Sequence, residues 1–190
     1  METPRWRFLL LTILCALGVL VVACGGGEPE APQEEVPSFS LTSDAFGPGE
    51  AIPPQYTCDG EDTSPALAWS GALQNAVTFA LITEDLDAGG FTHWVLFNLS
   101  GDAQGLAEGL PEAERLENGA VQGRNDFGRI GYAGPCPPSG SPHRYRFLLY
   151  ALDASLDLEP GASKKQVLDS IRDHVLGQAQ LVGTYAGVAR

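Results

Sequence analysis

Three short apolar segments, each bounded by turn-forming residues, constrain the fold more than any other feature of this chain. Val77–Thr83, His93–Leu99 and Tyr145–Leu152 are rich in β-branched and aromatic residues and are too short to make good helices, so they predict strands. The first two are apolar on both faces, as expected of central strands covered on both sides. Weaker strand patterns occur at Phe39–Thr42, Leu67–Trp69 and Gln180–Tyr185.

One helix is predicted late in the chain. Ser163 and Gln166 form a capping box, and Gly177 lies where a helix terminator is expected. Together with the strands, this pattern predicts a mainly β domain with one late helix packed on a sheet. The apolar residues that follow the box on one helical stripe are Val167, Leu168, Ile171 and Val175.

The N-terminus has the order of an export signal. Arg5 and Arg7 precede the apolar run Phe8–Leu20, and small residues then lead to Cys24, as in a bacterial lipoprotein cleavage box. We therefore predict that residues 1–23 are a signal peptide, that Cys24 is lipidated, and that the protein is anchored in the bacterial cell envelope on the extracytoplasmic side. An ordinary signal peptide and an uncleaved anchor stay open as alternatives, although the apolar run is shorter than the roughly 20 residues of a membrane span.

Residues 25–38 are rich in proline and glutamate and have almost nothing to bury, so together with Cys24 they predict a flexible acidic tether over 24–38. The remaining residues, 39–190, have the size of one domain. The whole chain carries 24 acidic and 11 basic residues, a formal net charge of −13. Nucleic acid binding needs a basic surface, so this charge excludes it. It also favours the lipid as the only membrane attachment.

Two of the four cysteines are available to the folded domain. Cys15 lies inside the predicted signal and Cys24 is the predicted lipid site, which leaves Cys58 and Cys136. An even pair in an exported chain favours a disulfide, which would close a loop of about 80 residues. Two free buried thiols are the alternative. The cysteine spacing has none of the regularity of a zinc site.

Polar side chains cluster at the predicted strand ends. Asp85 and Asp87 follow one strand, and His93 opens the next. His143 and Tyr145 open a third strand after a loop with four prolines. Because residues two apart in an extended chain face the same way, His143 and Tyr145 present an imidazole and a phenol side by side. We expect all five side chains to meet at one edge of the sheet.

The same alternation predicts which neighbours point elsewhere. Trp94 is expected on the face opposite His93, and Arg144 on the side opposite His143, where it serves the fold. A satisfied core histidine stays open for His93, because it would share its strand face with Val95, Phe97 and Leu99.

Several motifs follow one another in a fixed order between Phe39 and Tyr185. They are Ile52–Trp69, DLDAGGFTHW (Asp85–Trp94), GRNDFG (Gly123–Gly128), GYAGPCPP (Gly131–Pro138) and PHRY (Pro142–Tyr145). Together they resemble the phosphatidylethanolamine-binding protein family, and above all its bacterial Raf-kinase-inhibitor-like branch. The resemblance implies a large antiparallel sheet packed with a smaller sheet, peripheral helices, and a small pocket near one sheet edge that accepts phosphate-like anions.

The resemblance also implies which residues bind the ligand. The family usually has Asp-Pro-Asp where this chain has Asp85-Leu86-Asp87, and since proline fixes φ, the placement of Asp85 stays open. A disulfide at Cys136 would leave only its backbone for the pocket, and Tyr185 is the candidate for a C-terminal pocket aromatic. The implied pocket residues are Asp85, His93, Gly134, Cys136, Pro137, His143 and Tyr145.

These residue types suit a phosphate monoester. The imidazoles, the Tyr145 hydroxyl and loop amides near Gly134 are expected to donate hydrogen bonds to it. Asp85 is expected to orient and charge His93, since a nearby carboxylate raises the pKa of a histidine. Alternatively, Asp85 or Asp87 pairs with the ammonium of a zwitterionic headgroup.

We expect a lipid-anchored, non-enzymatic binding protein for a phosphate-like or zwitterionic small molecule, with no cofactor and no metal. An inhibitor of an envelope peptidase or of another protein partner is the alternative that the resemblance supports. A hydrolase with His93 or His143 as base is disfavoured, because the chain has no G-x-S-x-G turn and no H-E-x-x-H helix. Two aspartates and two histidines also allow a metal site, which the resemblance does not support.

Overall fold

The structure is a computed structural model that describes residues 39–71 and 75–189. The predicted signal peptide, the predicted lipid site Cys24 and the predicted tether lie outside the described residues and stay predictions. None of the described helices has the length and apolar character needed to cross a membrane.

The described chain forms two antiparallel sheets, one α-helix and two short 3-10 turns, at Pro54–Tyr56 and Leu86–Ala88. This confirms the mainly β class, with a large sheet packed with a smaller one. The elements are β1 (Ser40–Thr42), β2 (Leu67–Ser70), β3 (Thr78–Asp85), β4 (Phe91–Ser100), β5 (Gly105–Leu106), β6 (Val121–Gln122), β7 (His143–Leu152), α1 (Lys164–Ile171) and β8 (Val175–Tyr185).

The three apolar segments of the sequence are adjacent strands of the large sheet, whose order is β6-β4-β3-β7-β8. The small sheet has the order β1-β2-β5. Side chains from both sheets form one core, the inter-sheet cluster, which includes Trp69, Phe79 and Phe147. The opposite face of the large sheet packs against Val167 and Ile171 of α1 in the helix-side cluster. Every residue of β3 is buried because β3 lies between these two layers.

The helix is shorter than its sequence pattern predicts. It begins at Lys164, directly after the capping residue Ser163, which forms the predicted box with Gln166, but it ends at Ile171. The expected continuation to Val175 and Gly177 was wrong, because both residues belong to β8 and pair with β7. A ladder of hydrogen bonds along a neighbouring strand outweighs the extra helical turn that local propensity favours. Leu168 also departs from the predicted stripe, since it is exposed.

A β-bulge in β4 changes the direction of His93. Pairing with β3 moves from Trp94 to Thr92 across a register shift, so His93 is the extra residue. A bulge reverses the alternation of side chains at that point. His93 therefore packs against Tyr145 in the inter-sheet cluster, on the same side as Trp94, and the predicted opposition of His93 and Trp94 was wrong. Of the residues expected to share its face, Val95 and Phe97 lie instead in the helix-side cluster, whereas Leu99 lies in the inter-sheet cluster.

A charged cluster ties α1 to the β3–β4 hairpin. Glu84 is buried at the end of β3 and accepts hydrogen bonds from Arg146 and from Lys164, whose Nζ lies 2.9 Å from Glu84 Oε2. Lys164 also donates to the carbonyl oxygen of Gly90 in the hairpin turn. Burial alone would raise the pKa of Glu84, but the bonds from Lys164 and Arg146 hold it below its ordinary value.

We expect Glu84→Gln to lower the free energy of unfolding by about 2 kcal/mol at pH 7, the usual range for hydrogen bonds to a charged group. The pKa of Glu84 is lower in the folded state, so its contribution is present above the unfolded pKa and is lost as pH falls through the folded one. Urea denaturation from pH 7 to pH 2 should show the difference from wild type disappearing at the acid end. Asp169→Asn, which removes an exposed carboxylate paired with Lys165, should change stability little. A deficit that persists at pH 2 would contradict the electrostatic origin.

Candidate functional site

A cavity of about 260 Å³ lies where β3 ends and β4 and β7 begin. We call it the site cavity. It brings together six of the seven residues that the sequence implied for a pocket, and it omits Gly134. The cavity is lined by Asp85, Ala88, Phe91, His93, Phe127, Cys136, Pro137, Pro138, His143 and Tyr145.

Asp85 is the organising carboxylate of the site cavity, and it is only 3% exposed. Its Oδ1 accepts hydrogen bonds from the backbone amides of Asp87 at 2.9 Å and Ala88 at 3.1 Å, which caps the 3-10 turn. Neither amide belongs to Leu86, so the turn forms without the proline that the family usually has there. Asp85 Oδ2 accepts from His143 Nδ1 at 2.8 Å. Asp85 therefore orients His143, and the expectation that it pairs with His93 was wrong.

His93 is held by backbone carbonyls instead. Its Nδ1 lies 2.7 Å from the oxygen of Ala133 and 3.1 Å from that of Gly134. Because carbonyl oxygens only accept, Nδ1 carries the hydrogen. Burial lowers the pKa of His93 below its ordinary value, which the two carbonyls and the Asp85 charge offset only in part. His93 is thus a neutral imidazole at pH 7, with its Nε2 a hydrogen-bond acceptor.

Tyr145 brings a buried hydroxyl to the wall of the site cavity. The residue is 0% exposed, and its hydroxyl lies near the Asp85 carboxylate and the Cys136 backbone but makes no hydrogen bond of normal geometry with a described residue. Its ring stands edge-on to that of His93, with 5.2 Å between the centroids. Burial raises the pKa of this phenol far above its ordinary value, and the neighbouring Asp85 raises it further, so the hydroxyl stays protonated. A buried donor without a partner is costly, which makes this group a candidate ligand contact.

Two phenylalanines form an aromatic rim that was not among the predicted pocket residues. The rings of Phe91 and Phe127 lie 4.8 Å apart, and Phe127 is 5.4 Å from the His93 ring. Phe127 is 47% exposed, and the Asn125 side chain holds its turn by accepting from the amides of Phe127 and Arg129. Both phenylalanines lie inside recognised motifs, and each follows or precedes a glycine, which was the available signal. Ala88 and Pro138 also line the cavity, and no sequence signal pointed to them.

Gly134 supports the site cavity without lining it. Its amide donates to Asp62 Oδ1 at 2.6 Å and is thus already engaged within the protein, while donation by other amides near Gly134 stays a prediction. Its carbonyl oxygen accepts from His93. A Cβ at this position would lie 2.3 Å from the carbonyl oxygen of Tyr56, so only glycine permits the two loops to approach this closely. Gly134 lines a neighbouring side cavity of about 180 Å³, together with Asp62 and Arg129.

The predicted disulfide between Cys58 and Cys136 is confirmed, with Cα atoms 5.3 Å apart. It joins the Tyr56–Gly60 loop to the proline-rich loop that carries Pro137. Cys136 lines both the site cavity and the side cavity, so the disulfide forms part of the wall between them.

Asp87 and Arg144 form an ion pair beside the site cavity. Asp87 Oδ2 accepts from the Arg144 amide at 2.7 Å and Nε at 3.0 Å, and its Oδ1 accepts from Nη2 at 2.8 Å. These bonds lower the pKa of Asp87 to about 2. The pair holds the 3-10 turn against the start of β7, which agrees with the structural role expected of Arg144. Asp87 is therefore already paired with Arg144, and the suggested pairing of this carboxylate with a ligand ammonium stays a prediction.

Two further sequence hypotheses concern the surroundings of the cavity. Tyr185 is not among the residues that line it, and its hydroxyl donates to Asp59 Oδ2 at 2.9 Å. Across residues 39–71 and 75–189, no three His, Cys, Asp or Glu side chains lie in a group able to hold a metal ion.

Comparisons with known proteins place the chain in a family. The model of the family described as phosphatidylethanolamine-binding protein matches residues 42–186. A UPF0098 protein of Methanothermobacter thermautotrophicus is 55% identical over 149 residues, which cover 77% of this chain and 98% of that protein. A Mycobacterium tuberculosis protein named as a lipoprotein, LppC, is 35% identical over 211 residues, covering 98% of this chain and 100% of that protein.

Solved structures agree with these matches. A phosphatidylethanolamine-binding protein homologue of Chlamydia trachomatis has a TM-score of 0.71 and 40% identity, covering 80% of this chain and 99% of that one. Escherichia coli YbcL, described as a member of the mammalian family, has a TM-score of 0.74 and 30% identity, covering 80% of this chain and 100% of that one. By sequence and by fold, the chain belongs to the phosphatidylethanolamine-binding protein family.

Proposed function

We propose that this protein is a non-catalytic binding protein whose site cavity captures a small anion, either phosphate or a phosphoryl headgroup. The observation that carries the proposal is the Tyr145 hydroxyl, a fully buried and protonated donor in the cavity wall without a partner in the described residues. An anion oxygen is the partner that best compensates such a donor.

The charges around the cavity support an anion despite the acidic chain. Both oxygens of Asp85 already accept hydrogen bonds, from two amides and from His143, so the carboxylate does not face a ligand as a bare charge. When its ring is charged, His143 donates to Asp85 through Nδ1 and offers a second N–H at Nε2. The cavity of about 260 Å³ is smaller than the roughly 300–1,000 Å³ of sites for drug-sized ligands, which favours a small headgroup.

The same residues argue against a hydrolase. The lining of the site cavity offers no serine, no threonine and no free thiol as a nucleophile, since Cys136 is in the disulfide. The only hydroxyl is that of Tyr145, whose raised pKa keeps it protonated and weakly nucleophilic. Binding is therefore the activity that these groups support best.

We also propose that binding takes place outside the cytoplasm, with the protein held in the bacterial envelope by a lipid on Cys24. The charged, apolar and small residues before Cys24 support this, and so does the relative named as a lipoprotein. A proline-rich acidic tether over 25–38 would separate the binding domain from the membrane surface.

We expect Tyr145→Phe to weaken phosphate and phosphoethanolamine binding about tenfold or more, because it removes one hydrogen bond to a charged ligand and changes little else. Isothermal titration calorimetry at pH 6 measures this. The melting temperature of the unliganded protein should stay the same or rise, since the hydroxyl lacks a partner in the described fold.

The matched control is Tyr150→Phe, on the same strand but packed against the helix-side cluster. It should bind like wild type. Unchanged affinity in Tyr145→Phe, or a marked loss of its stability, would contradict the assignment of this hydroxyl to a ligand.

A further inference from the structure

We propose that the site cavity requires a ligand that donates as well as accepts hydrogen bonds, so that it selects a tetrahedral oxyanion that still carries a proton. The class is inorganic phosphate or the monoanion of a phosphate monoester, in preference to sulfate and to phosphate diesters. This inference rests on the proposed anion site and names the ligand class of that site.

The first step is the orientation of the His93 ring. Nδ1 lies within hydrogen-bond distance of two carbonyl oxygens, those of Ala133 and Gly134. Both oxygens are pure acceptors, so the ring is locked with its hydrogen on Nδ1. Nε2 makes no hydrogen bond with a described residue, and the ring lines the site cavity. In the neutral ring, this nitrogen is a lone-pair acceptor.

The second step is the charge of that ring. His93 is 3% exposed, and burial disfavours its cation. The carboxylates that face it are Asp85, at the end of β3, and Asp62, in the loop before β2, and both favour the cation. Asp85 accepts a hydrogen bond from His143, and Asp62 is paired with Arg129. The net result is a pKa below the ordinary value, so the acceptor character of Nε2 persists at neutral pH.

The third step is the contrast with the other groups in the wall. Tyr145 presents a donor, and His143 presents another at Nε2 when its ring is charged. A proton-carrying phosphate satisfies both kinds of group at once, since its P–O oxygens accept while its P–OH donates to His93 Nε2. Sulfate has the same shape but no hydrogen at neutral pH, so it would leave one of its oxygens against the lone pair of Nε2. A site that expects a donor strongly rejects an analogue without one.

The same reasoning separates the two sources of a phosphoryl group. A phosphate monoester has a second pKa near 6 and keeps one P–OH below it. A phosphodiester, which is how phosphate occurs in an intact phospholipid, has no P–OH. The cavity should therefore take a free phosphorylated small molecule rather than a headgroup still attached to its glycerol.

The test is titration calorimetry of the wild-type protein with four probes at pH 5.5 and pH 8. The probes are phosphate, sulfate, phosphoethanolamine and glycerophosphoethanolamine. At pH 8 phosphate and sulfate are both dianions and only phosphate carries a hydrogen, so we expect phosphate to bind at least about tenfold more tightly there. At pH 5.5 we expect the monoester to bind at least about tenfold more tightly than the diester. Sulfate does not titrate in this range, so its pH response reports the protein alone. Phosphoethanolamine, which loses its P–OH hydrogen above a pKa near 6, should therefore lose more affinity than sulfate between pH 5.5 and pH 8.

His93→Asn identifies the selecting group. Its amide nitrogen can replace Nδ1 as the donor to Ala133, while the Nε2 acceptor is removed, so the preference for phosphate over sulfate should fall to about threefold or less. An unchanged preference would contradict the role of His93. If the variant does not fold, the four wild-type titrations still test whether the cavity selects a proton-carrying anion.

The outcomes separate the two proposals. Sulfate binding as tightly as phosphate, or the diester as tightly as the monoester, would overturn the selection for a proton-carrying anion while leaving the anion site intact. Absence of binding by all four probes would overturn the anion site and this inference with it.

Discussion

Removal of the disulfide between Cys58 and Cys136 is expected to lower the free energy of unfolding by about 4 kcal/mol. The two cysteines are 78 residues apart, so the cross-link removes much of the conformational freedom of the unfolded chain. It joins two loops that are also connected by hydrogen bonds, among them Cys58–Pro135, Gly134–Asp62 and Tyr132–Tyr56. Urea denaturation of Cys58→Ser/Cys136→Ser against wild type measures the loss.

Reducing agent supplies the matched control for the disulfide. Wild type treated with a thiol reductant should unfold at the urea concentration of the double variant, and the double variant should not respond to the reductant. Ligand binding should weaken in parallel, because the proline-rich loop supplies Pro137 to the site cavity and the Ala133 carbonyl to His93. A stability loss below about 1 kcal/mol would show that the disulfide contributes far less than its loop length predicts.

His143→Ala should weaken phosphate binding by at least about 100-fold at pH 6, the largest effect on affinity that we expect. The change removes a charge-assisted donor to the anion, worth about tenfold to 100-fold by itself. It also leaves Asp85 Oδ2 without the bond from His143, so that a buried negative charge then faces the anion. Titration calorimetry measures the change, and circular dichroism checks that the sheet is intact.

His174→Ala is the control for His143→Ala. His174 makes the same Nδ1 contact with a carboxylate, 2.8 Å from Asp153 Oδ1, but it is exposed and does not line the site cavity. Equal affinities in wild type and His174→Ala, with the loss confined to His143→Ala, would tie the effect to the cavity. A fall of less than tenfold in His143→Ala would remove this histidine from the anion site.

Local sequence patterns predicted the elements for which local propensity and tertiary packing favour the same secondary structure. The three apolar segments became β3, β4 and β7, and the capping box at Ser163 starts α1 as expected. The end of α1 could not be predicted, because β8 is stabilised by β7, an element that precedes it in the chain by more than twenty residues. The ligand-binding roles stay predictions that the titrations above address, and the lipid anchor also stays a prediction.

Local sequence patterns also failed where one extra residue in a strand shifts its pairing with the neighbouring strand. Period-two alternation placed His93 and Trp94 on opposite faces, yet the bulge in β4 brings both to the inter-sheet side. A bulge depends on the pairing between two strands, and nothing in the β4 segment alone marks it. The rim residue Phe127 escaped prediction for a similar reason, since it reaches the cavity from a loop more than thirty residues beyond β3.

The sequence by itself determined that Asp85, His93, His143 and Tyr145 lie at the ends of neighbouring strands, because strand limits and turn residues are local properties. Only the tertiary structure decided which imidazole the carboxylate orients and which ring nitrogen is left for a ligand. Those choices depend on contacts distant in sequence: the His143–Asp85 bond joins residues 58 apart, and the Ala133 carbonyl reaches His93 across 40. Hydrogen-bond partners are set by how the loops pack, which a linear pattern of residues does not encode.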